Sequence, residues 1–415
     1  MKFERPRGTR DFLPDEMMSR KSVESRITGV FDSFGYQQVL TPVFEHTELF
    51  HAKSGQEISQ HMYVFDDKGG RSLCLRPEAT ASIARMLASG LKTMPKPVKV
   101  YYSCPMYRYE EPQKGRYREF WQAGVELVGM DSHESDAEVV LIASECLRTL
   151  GVEHKLRVSD LRVLKHVLAA SGLKESEQDS VIHLLDKGDI EGVKAKVRDE
   201  SFFKIIGLKG GLDAVEAVEK IVGEKIKTIT SGFKGILALL DSVGVAYTVD
   251  FSMARGLDYY TGMVFDVKVD GLGAQDQVCG GGRYDRLIGL FGGPDTPAVG
   301  FAFGFDRVLE SMHLQGIDLG RSSVDVYVIA VDDNVGDKAF EISSMLRRSL
   351  GGRVVVHGLA RKKLSKALEV ASNMSASYAV IVGSKELEDG SVILKDMSSG
   401  SQEKLAIADI ASRIK

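Results

Sequence analysis

Two alternating stretches between Met106 and Gly129 carry side chains that can bind a small charged ligand. Side chains alternate across a β-strand, so the second stretch, EFWQAGVELV, has one polar face and one apolar face that we expect to be buried. Gly124 lies on the polar face and leaves room for a ligand to approach. The polar surface of this predicted hairpin would present Arg108, Glu110, Gln122 and Glu126.

The hairpin by itself permits two interpretations. Its polar face is either a binding surface or the solvated side of a half-exposed sheet. Glu78 raises the same question, because Arg76–Thr80 leads from a predicted strand into a predicted helix. A carboxylate at such a junction holds a ligand or compensates the charge of the helix N-terminus.

Two arginines further along the chain are candidates for binding an anion. Arg307 lies in the first turn of a helix predicted within Gly300–Leu309, where a cation opposes the helix dipole at a cost of about 0.3–1 kcal/mol. An anionic ligand would offset that cost. Arg255 precedes Tyr259 and Tyr260, which would project to opposite sides of an extended chain, one into the core and one into a pocket.

The glycine-rich stretch Gly280–Leu287, GGGRYDRL, is predicted to form a turn between a strand and a short helix. Such a turn allows backbone amides to meet an anion. Its spacing matches neither the P-loop nor the dinucleotide-binding fingerprint, which argues against those nucleotide-binding folds.

The composition is that of a globular chain without a general affinity for nucleic acid. With 415 residues, 43% hydrophobic and 27% charged, we expect two or three domains. The net charge of −4 means that any contact with nucleic acid must be local. Four widely separated cysteines, with no leader peptide or membrane span, predict a cytoplasmic protein.

The hydrophobic pattern predicts the elements that surround these residues. The basic segment Lys2–Pro14 is irregular, and its arginines either line an anionic site or are solvated. Apolar residues recur at helical spacing over Glu16–Phe34, and a strand is predicted over Gly35–Val43. Two further strands, His61–Asp67 and Ser72–Arg76, are joined by a short turn.

The predicted secondary structure changes at two points after residue 160. Residues 161–240 are mostly helical and charged, which predicts an inserted helical module with a solvated surface. After a linker over His313–Ser323, alternating strands and helices predict a small α/β domain with a largely parallel sheet. A basic cluster near its second helix is either solvated or contacts nucleic acid, and comprises Arg361, Lys362, Lys363 and Lys366.

Five separate stretches, which follow one another along the chain in the family's order, resemble the histidyl-tRNA synthetases. These are a family of class II aminoacyl-tRNA synthetases, and the resemblance runs from the amino terminus to Lys415. Gly35–Pro42 resembles the first class II motif, Arg108–Glu126 the second and Gly300–Arg307 the third. RGLDYY at Arg255–Tyr260 and GGGRYD at Gly280–Asp285 resemble stretches particular to the histidine enzymes. The third motif departs from the general pattern, with Ala302 in place of a glycine and Asp306 in place of a glutamate, while its arginine remains.

The resemblance implies a fold and a division into domains. It implies an α+β catalytic domain of the class II synthetase type, built on a mainly antiparallel sheet and formed by residues 1–160 and 241–320. A helical insertion over residues 161–240 would embrace the acceptor arm of tRNA, and a C-terminal α/β domain over residues 324–415 would read the anticodon. The first motif implies a homodimer.

The implied reaction is ATP-dependent ligation of histidine to tRNA(His) through a histidyl-adenylate, with release of AMP and pyrophosphate. By resemblance, Arg108 would bind the α-phosphate, and Arg307 would hold a bent ATP near its γ-phosphate and adenine. Arg255 would contact the α-phosphate and the substrate carboxylate, a task that suits a forked, permanently charged donor. Mg²⁺ would bridge the outer phosphates through Glu110 or water.

The resemblance also implies how histidine and tRNA are bound. Glu78, Thr80 and Gln122 would meet the histidine ammonium, and Ala79 would also belong to the histidine site. Glu126 and Tyr260 would hydrogen-bond the imidazole, and Tyr259 would shape the pocket. Gln113 and Arg118 would face the first base pairs of the acceptor stem.

Three other hypotheses compete with this one. The first is a non-catalytic relative, a regulatory subunit that binds histidine or another small ligand. It is disfavoured because Arg108, Arg255, Arg307 and the terminal domain are all present. The second, a class II synthetase of another specificity, is disfavoured by the RGLDYY stretch. The third is a metal site formed by His46, His51 and His61, whose spacing fits no zinc pattern.

Overall fold

The computed structural model describes residues 3–51, 60–90, 93–111, 117–254, 259–273, 276–319, 324–359 and 363–414. Two compact units make up the chain, one mainly of Arg20–Leu319 and the other of Gly320–Lys415 and a few further residues. None of the described helices is long and apolar enough to cross a membrane.

The strands of the first unit form a large sheet and a small one. They are β1 (Gln37–Gln38), β2 (Phe44–His46), β3 (Val64–Asp66), β4 (Ser72–Leu75), β5 (Val98–Tyr107), β6 (Glu119–Val128), β7 (Lys155–Asp160), β8 (Lys209–Gly210), β9 (Thr248–Asp250), β10 (Met263–Lys268), β11 (Gln277–Arg283) and β12 (Ala298–Gly304). Within the described residues, nine strands form the large sheet in the order β1-β5-β6-β12-β11-β10-β7-β9-β8, and β2-β4-β3 form the small one. Among the described strands of this unit, only the β1–β5 and β7–β9 pairs are parallel, so the predicted mainly antiparallel sheet is confirmed.

Helices cover this sheet and form one hydrophobic core with it. They are α1 (Pro14–Ser33), α2 (Thr47–His51), α3 (Thr80–Gly90), α4 (His133–Leu150), α5 (Leu161–Ala170), α6 (Glu175–Asp186), α7 (Ile190–Lys196), α8 (Glu200–Ile206), α9 (Leu212–Val222), α10 (Lys227–Ser242), α11 (Leu287–Leu290) and α12 (Phe305–Leu314). Helices α5 to α10 occupy the stretch predicted to be a helical module, and α10 packs against α4.

The sequence of α1 explains where that helix lies and ends. Val23, Ile27 and Phe31 are fully buried and recur at helical spacing, so one stripe faces the core. Gly35 follows with φ +79°, a left-handed conformation that glycine adopts freely. The strand predicted over Gly35–Val43 is wrong for most of its length, since only β1 forms before the chain crosses to the small sheet. Pro42 lies in that crossing and has no N–H to donate to a ladder.

The predicted hairpin is confirmed as the pair β5 and β6. Val98 pairs with Val128, and the register continues without a break to Tyr107 opposite Glu119. The apolar side chains Ala123, Val125 and Leu127 of β6 are buried, and Trp121 on the same face is partly buried. Strand β12 pairs with the other edge of β6, so the polar face of the hairpin lies within the sheet and not at a solvated edge.

The prediction of a glycine-rich turn is wrong, because Gly280, Gly281 and Gly282 lie inside β11 and pair with both β10 and β12. A Cβ on Gly281 would lie 2.5 Å from the Cβ of Phe301, and one on Gly282 would lie 3.0 Å from the ring of Tyr260. The glycines therefore allow close packing of neighbouring strands and rings. The turn follows them, before α11.

The second unit is a five-stranded α/β domain. Its strands are β13 (Val326–Ala330), β14 (Val355–His357), β15 (Tyr378–Val382), β16 (Ser391–Asp396) and β17 (Gln402–Ala406), and its helices are α13 (Gly336–Ser349), α14 (Leu364–Asn373), α15 (Ser384–Glu388) and α16 (Ile410–Arg413). The order is β14-β13-β15-β16-β17, with the first three strands parallel and the last two antiparallel. The sheet is therefore mixed, where the sequence predicted a largely parallel one. Apolar clusters lie on both of its faces.

Replacing Gly281 with alanine should destabilise the protein by about 1–3 kcal/mol, the usual cost of overpacking a core. The added methyl group would press on Phe301 in the centre of the sheet. Thermal unfolding of the full chain measures the effect. Gly29→Ala is the matched control, because a Cβ there meets nothing within 4 Å. An unchanged midpoint for Gly281→Ala would contradict the packing argument.

Candidate active site

A cavity of about 740 Å³ opens on the face of the large sheet. Strands β6, β10, β11 and β12 and the start of α12 form much of its wall. The predicted site residues that line it are Glu78, Thr80, Arg108, Glu110, Gln122, Tyr259, Tyr260 and Arg307. Residues brought together from five separate stretches therefore share one cavity.

Glu78 ends the loop before α3 and is buried. Its carboxylate accepts hydrogen bonds from the backbone N–H of Thr80 at 2.6 Å and of Ala81 at 2.9 Å. Burial is the largest influence on the Glu78 carboxyl and raises its pKa. Glu78 thus compensates the helix N-terminus and also presents a carboxyl group to the cavity, so both roles considered for it are compatible.

Glu126 lies directly behind the cavity wall, with only 1% of its surface exposed. Thr80 Oγ1 donates to its Oε1 at 2.8 Å, and the Tyr284 hydroxyl donates to its Oε2. Burial raises the pKa of the Glu126 carboxyl to about 8, even though both hydrogen bonds favour the charged form. The alternative interpretation of the hairpin's polar face, that it is merely the solvated side of a sheet, therefore does not apply to Glu126.

Two glycines provide the space for these polar groups. A Cβ on Gly300, which pairs with Glu126, would collide with Glu126 Oε2, so the carboxyl depends on the glycine of the neighbouring strand. A Cβ on Gly124 would lie 2.7 Å from the Tyr102 hydroxyl. The room predicted at Gly124 for a ligand is therefore taken by a tyrosine of β5.

Four tyrosines surround the carboxyl groups, namely Tyr102, Tyr259, Tyr260 and Tyr284. The rings of Tyr259 and Tyr260 are 4.8 Å apart and both line the cavity, so the expectation that they point to opposite sides is wrong. The chain is not extended there, since Tyr259 lies in a turn. The sequence analysis missed Tyr284 as a site residue, although it lies within the GGGRYD stretch.

Two buried polar atoms beside the cavity lack a hydrogen-bond partner among the described residues. They are Oε1 of Gln122 and the hydroxyl of Tyr102. Buried polar groups are rarely left unsatisfied in folded proteins. Both residues line the cavity, so a bound polar molecule can satisfy them. We call Glu78, Thr80, Gln122, Glu126 and these four tyrosines the carboxylate end.

Arg108 and Arg307 approach the cavity from different elements. Arg108 follows β5, donates from Nε to Pro77 O at 2.9 Å and lies 5.2 Å from the ring of Phe120. Arg307 follows β12 and donates from Nη1 to Gln277 O at 2.8 Å. We call Arg108, Phe120 and Arg307 the arginine end. Phe120 and Glu126 are about 20 Å apart along β6, whereas Arg108 and Glu78 lie close enough for the guanidinium to offset part of the rise that burial causes in the pKa of the Glu78 carboxyl, so the two ends adjoin.

The remaining predicted residues have mixed outcomes. Arg255 and Gln113 lie outside the described residues, as do Arg361 and Lys362 of the C-terminal basic cluster. Glu110 has its Oε1 4.0 Å from Arg108 Nη1. In the described part of the chain, no group of three or more His, Cys, Asp or Glu side chains is arranged to hold a metal.

Arg118 is not part of the cavity wall. Its Nε donates to Glu110 O at 3.1 Å, and its guanidinium lies 4.1 Å from the ring of Tyr109. Its backbone N–H donates to Gly8 O at 2.8 Å.

The helical stretch also reaches the cavity. Leu185 and Asp186, at the end of α6, are among its lining residues. Lys209 of β8 lies 3.1 Å from Asp250 of β9, and Asp250 accepts from Arg157 Nη1 at 3.0 Å. These ion pairs link β8, which lies within the helical stretch, to β9 and β7 of the large sheet.

The geometry defines the kind of ligand that the cavity can hold. Carboxyl and phenol groups accept hydrogen bonds from ammonium and imidazole nitrogens, whereas guanidinium groups bind phosphates and carboxylates. One molecule with a cationic group and one with phosphates would each find a matching end.

Comparisons with known proteins identify the family. A model of histidyl-tRNA synthetases matches residues 8–308, and a model of anticodon-binding domains matches residues 325–415. Histidine–tRNA ligase of Archaeoglobus fulgidus is 44% identical over 99% of this chain and 98% of its own length. The corresponding protein of Methanocaldococcus jannaschii is 39% identical over 99% of both chains. The structure of apo S. aureus histidyl-tRNA synthetase matches with a TM-score of 0.75 at 26% identity, over all of both chains.

Glu126→Gln should change how stability depends on pH. The raised pKa means that folded Glu126 keeps its proton while the unfolded side chain, with a pKa near 4.5, has released it. This carboxyl therefore lowers the free energy of unfolding as pH rises from about 4.5 to about 8, by about 1.4 kcal/mol per unit of pKa shift. Glutamine cannot ionise, so the variant should gain stability relative to wild type as pH rises.

Thermal midpoints of both proteins at pH 5 and pH 8.5 measure this effect. A difference between variant and wild type that is the same at both pH values would contradict the raised pKa.

Proposed function

The chain belongs to the histidyl-tRNA synthetase family and catalyses ATP-dependent ligation of histidine to tRNA(His) through a histidyl-adenylate, and we propose that the cavity on the large sheet is where its small substrates react. The observation that carries this proposal is the opposite polarity of the two ends of one cavity. Histidine would occupy the carboxylate end and ATP the arginine end.

The histidine ammonium would be bound by Glu78, Thr80 and Gln122, with Ala79 forming the backbone between the first two. Glu78 keeps carboxylate lone pairs beyond the two that accept from the start of α3. Gln122 Oε1 is buried without a partner among the described residues and can accept an N–H from the ligand. This arrangement favours a cation over a neutral group at the same position.

The imidazole would be bound by Glu126 and Tyr260, with Tyr259 shaping the pocket. Tyr284 joins this set because its hydroxyl orients the Glu126 carboxyl. A carboxyl with a pKa of about 8 takes up or releases a proton near neutrality, so it can serve either imidazole nitrogen. Buried polar partners of this kind reject analogues that lack the matching group by about 10⁴–10⁵-fold.

ATP would lie with its α-phosphate at Arg108 and with Arg307 near its γ-phosphate and adenine. Arg255 would complete the cationic set by contacting the α-phosphate and the histidine carboxylate. These groups act by holding the reactants in line and by neutralising the charge that develops on phosphate. Glu110 would hold Mg²⁺ together with phosphate oxygens and water, a ligand set that this ion commonly has.

The tRNA would contact three parts of the chain. Gln113 and Arg118 would face the first base pairs of the acceptor stem. A helical insertion over residues 161–240 would embrace the acceptor arm, interrupting a catalytic domain of residues 1–160 and 241–320. The C-terminal domain, residues 324–415, would read the anticodon.

A homodimer is proposed from the surface around the small sheet. Five large apolar side chains are exposed there, namely Leu40, Val43, Phe44, Val64 and Phe65. Phe44 and Phe65 lie on the same face of the small sheet. Exposed apolar surface marks interaction sites, and a two-fold dimer would bury the same surface on both copies. This surface adjoins the stretch that resembles the first class II motif.

A cytoplasmic location is proposed from the cysteines. All four are free and buried. Free thiols persist in reducing compartments.

The function is tested by ATP–pyrophosphate exchange with each of the 20 amino acids. We expect exchange with histidine alone, and loss of that exchange in Arg307→Ala, because the arginine end then has one cation fewer. Exchange with another amino acid would contradict the histidine assignment. Normal exchange in Arg307→Ala would contradict the assignment of ATP to the arginine end.

Phe44→Asp should convert the proposed dimer to a monomer, because each copy would place a charge in the buried surface. Sedimentation velocity measures the oligomeric state. Val243→Asp is the control, since Val243 is equally exposed, at 56% against 55% for Phe44, but lies at the end of α10. A dimer that persists in Phe44→Asp would place the interface elsewhere.

A further inference from the structure

The irregular segment Pro6–Leu13, here called the N-terminal strap, connects two stretches of the arginine end. From the sequence alone, the arginines of this segment either bind an anion or are solvated. Arg10 has a third role in the structure. Its Nη2 donates to Asp306 Oδ1 at 2.6 Å, and 22% of its side chain is exposed.

Asp306 is the residue before Arg307 and is shared by three elements. Arg20 of α1 donates from Nη1 to the same Oδ1 at 2.6 Å. The backbone N–H of Trp121 in β6 donates to Oδ2 at 3.1 Å. With only 6% of its side chain exposed, this carboxylate joins the strap, α1 and β6 to the first turn of α12.

The strap also contacts Tyr117 and Arg118, and Arg118 lies beside Arg108. The Arg10 guanidinium lies 3.5 Å from the centre of the Tyr117 ring. Gly8 O accepts from the backbone N–H of Arg118 at 2.8 Å, and Arg118 O accepts from the backbone N–H of Arg108 at 2.9 Å. Gly8 has φ +85°, and a Cβ there would lie 2.7 Å from the side chain of Arg118.

The charges of this cluster do not balance within it. Two guanidinium groups share one carboxylate, and Nε of Arg10 and Nη2 of Arg20 are buried without a hydrogen-bond partner in the described chain. Phe12 lies 4.3 Å from the Arg20 guanidinium and shields it. Loss of Arg10 would still leave Asp306 paired with Arg20, so the cluster does not need Arg10 to avoid a buried unpaired carboxylate.

We propose that Arg10 is a positioning residue for ATP, which sets the separation of Arg108 and Arg307 by holding Asp306 and Tyr117 at once. A forked guanidinium can pair with a carboxylate and stack on a ring together, which an ammonium group cannot. The inference rests on the proposed placement of ATP at the arginine end. It assigns no role to Arg10 in binding histidine.

The test is ATP–pyrophosphate exchange by the full-length Arg10→Met variant, whose side chain keeps apolar length without charge. We expect the KM for ATP to rise by about 10-fold, within the range that misplacement of reacting groups produces. The KM for histidine should change by less than about two-fold, because Arg10 contacts no residue of the carboxylate end. Arg10→Lys should have an intermediate KM for ATP.

Arg5→Met is the matched control. Arg5 lies one residue before the strap and is exposed, with Asp11 3.9 Å away, so its loss should leave both KM values unchanged. A thermal midpoint for each variant separates positioning from loss of folding. A purely structural role would lower the midpoint and the turnover of Arg10→Met without a selective change in the KM for ATP, and that result would overturn the proposal.

Arg307→Ala distinguishes the two levels of the argument. If Arg307→Ala leaves the KM for ATP and exchange unchanged, the placement of ATP is wrong and the strap proposal falls with it. If Arg307→Ala impairs ATP use while Arg10→Met has a KM for ATP within about two-fold of wild type, only the strap proposal is overturned.

Discussion

The Glu126 carboxyl is buried in the central sheet because the neighbouring strand has no side chain opposite it. Gly300 pairs with Glu126, and any Cβ at Gly300 would occupy the position of Oε2. Burying a carboxyl group is costly unless its oxygens are hydrogen-bonded, and Thr80 and Tyr284 supply those bonds. Thr80 at the start of α3 and Tyr284 directly after β11 donate to the carboxyl, and the pairing of β6 with β12 places Gly300 opposite it.

Groups of opposite charge lie on the same face of the large sheet, and Arg108 is near enough to Glu78 to offset part of the rise that burial causes in the pKa of that carboxyl. Glu126 lies near the end of β6, whereas Phe120, next to Arg108, lies near its beginning. Two substrates of unlike charge can therefore be held side by side, each by groups complementary to it. Exchange of a proton at Glu126 near neutrality further suits a ligand whose own ring titrates in the same range.

The arginine end depends on parts of the chain that are remote in sequence. The Asp306 carboxylate accepts hydrogen bonds from Arg10, Arg20 and the backbone of Trp121, so the strap, α1 and β6 meet at the residue before Arg307. If Arg307 binds phosphate as proposed, its guanidinium must be held in place, because reacting groups that are displaced by about 1 Å lose about 10²-fold in rate. Under the strap proposal, contacts outside the cavity would bear directly on the chemistry inside it.

The sequence by itself determined the local elements and the family. Alternation predicted the hairpin of β5 and β6, helical spacing predicted α1, and the motif residues predicted eight residues of the cavity wall, because these signals depend on neighbours along the chain. Only the tertiary structure decided that Gly280–Gly282 form a strand, that Tyr102 fills the space at Gly124, that Tyr284 lines the cavity and that Arg10 contacts Asp306. Each of these depends on which strands and segments lie side by side, and residues far apart in sequence leave no periodic signal of that contact.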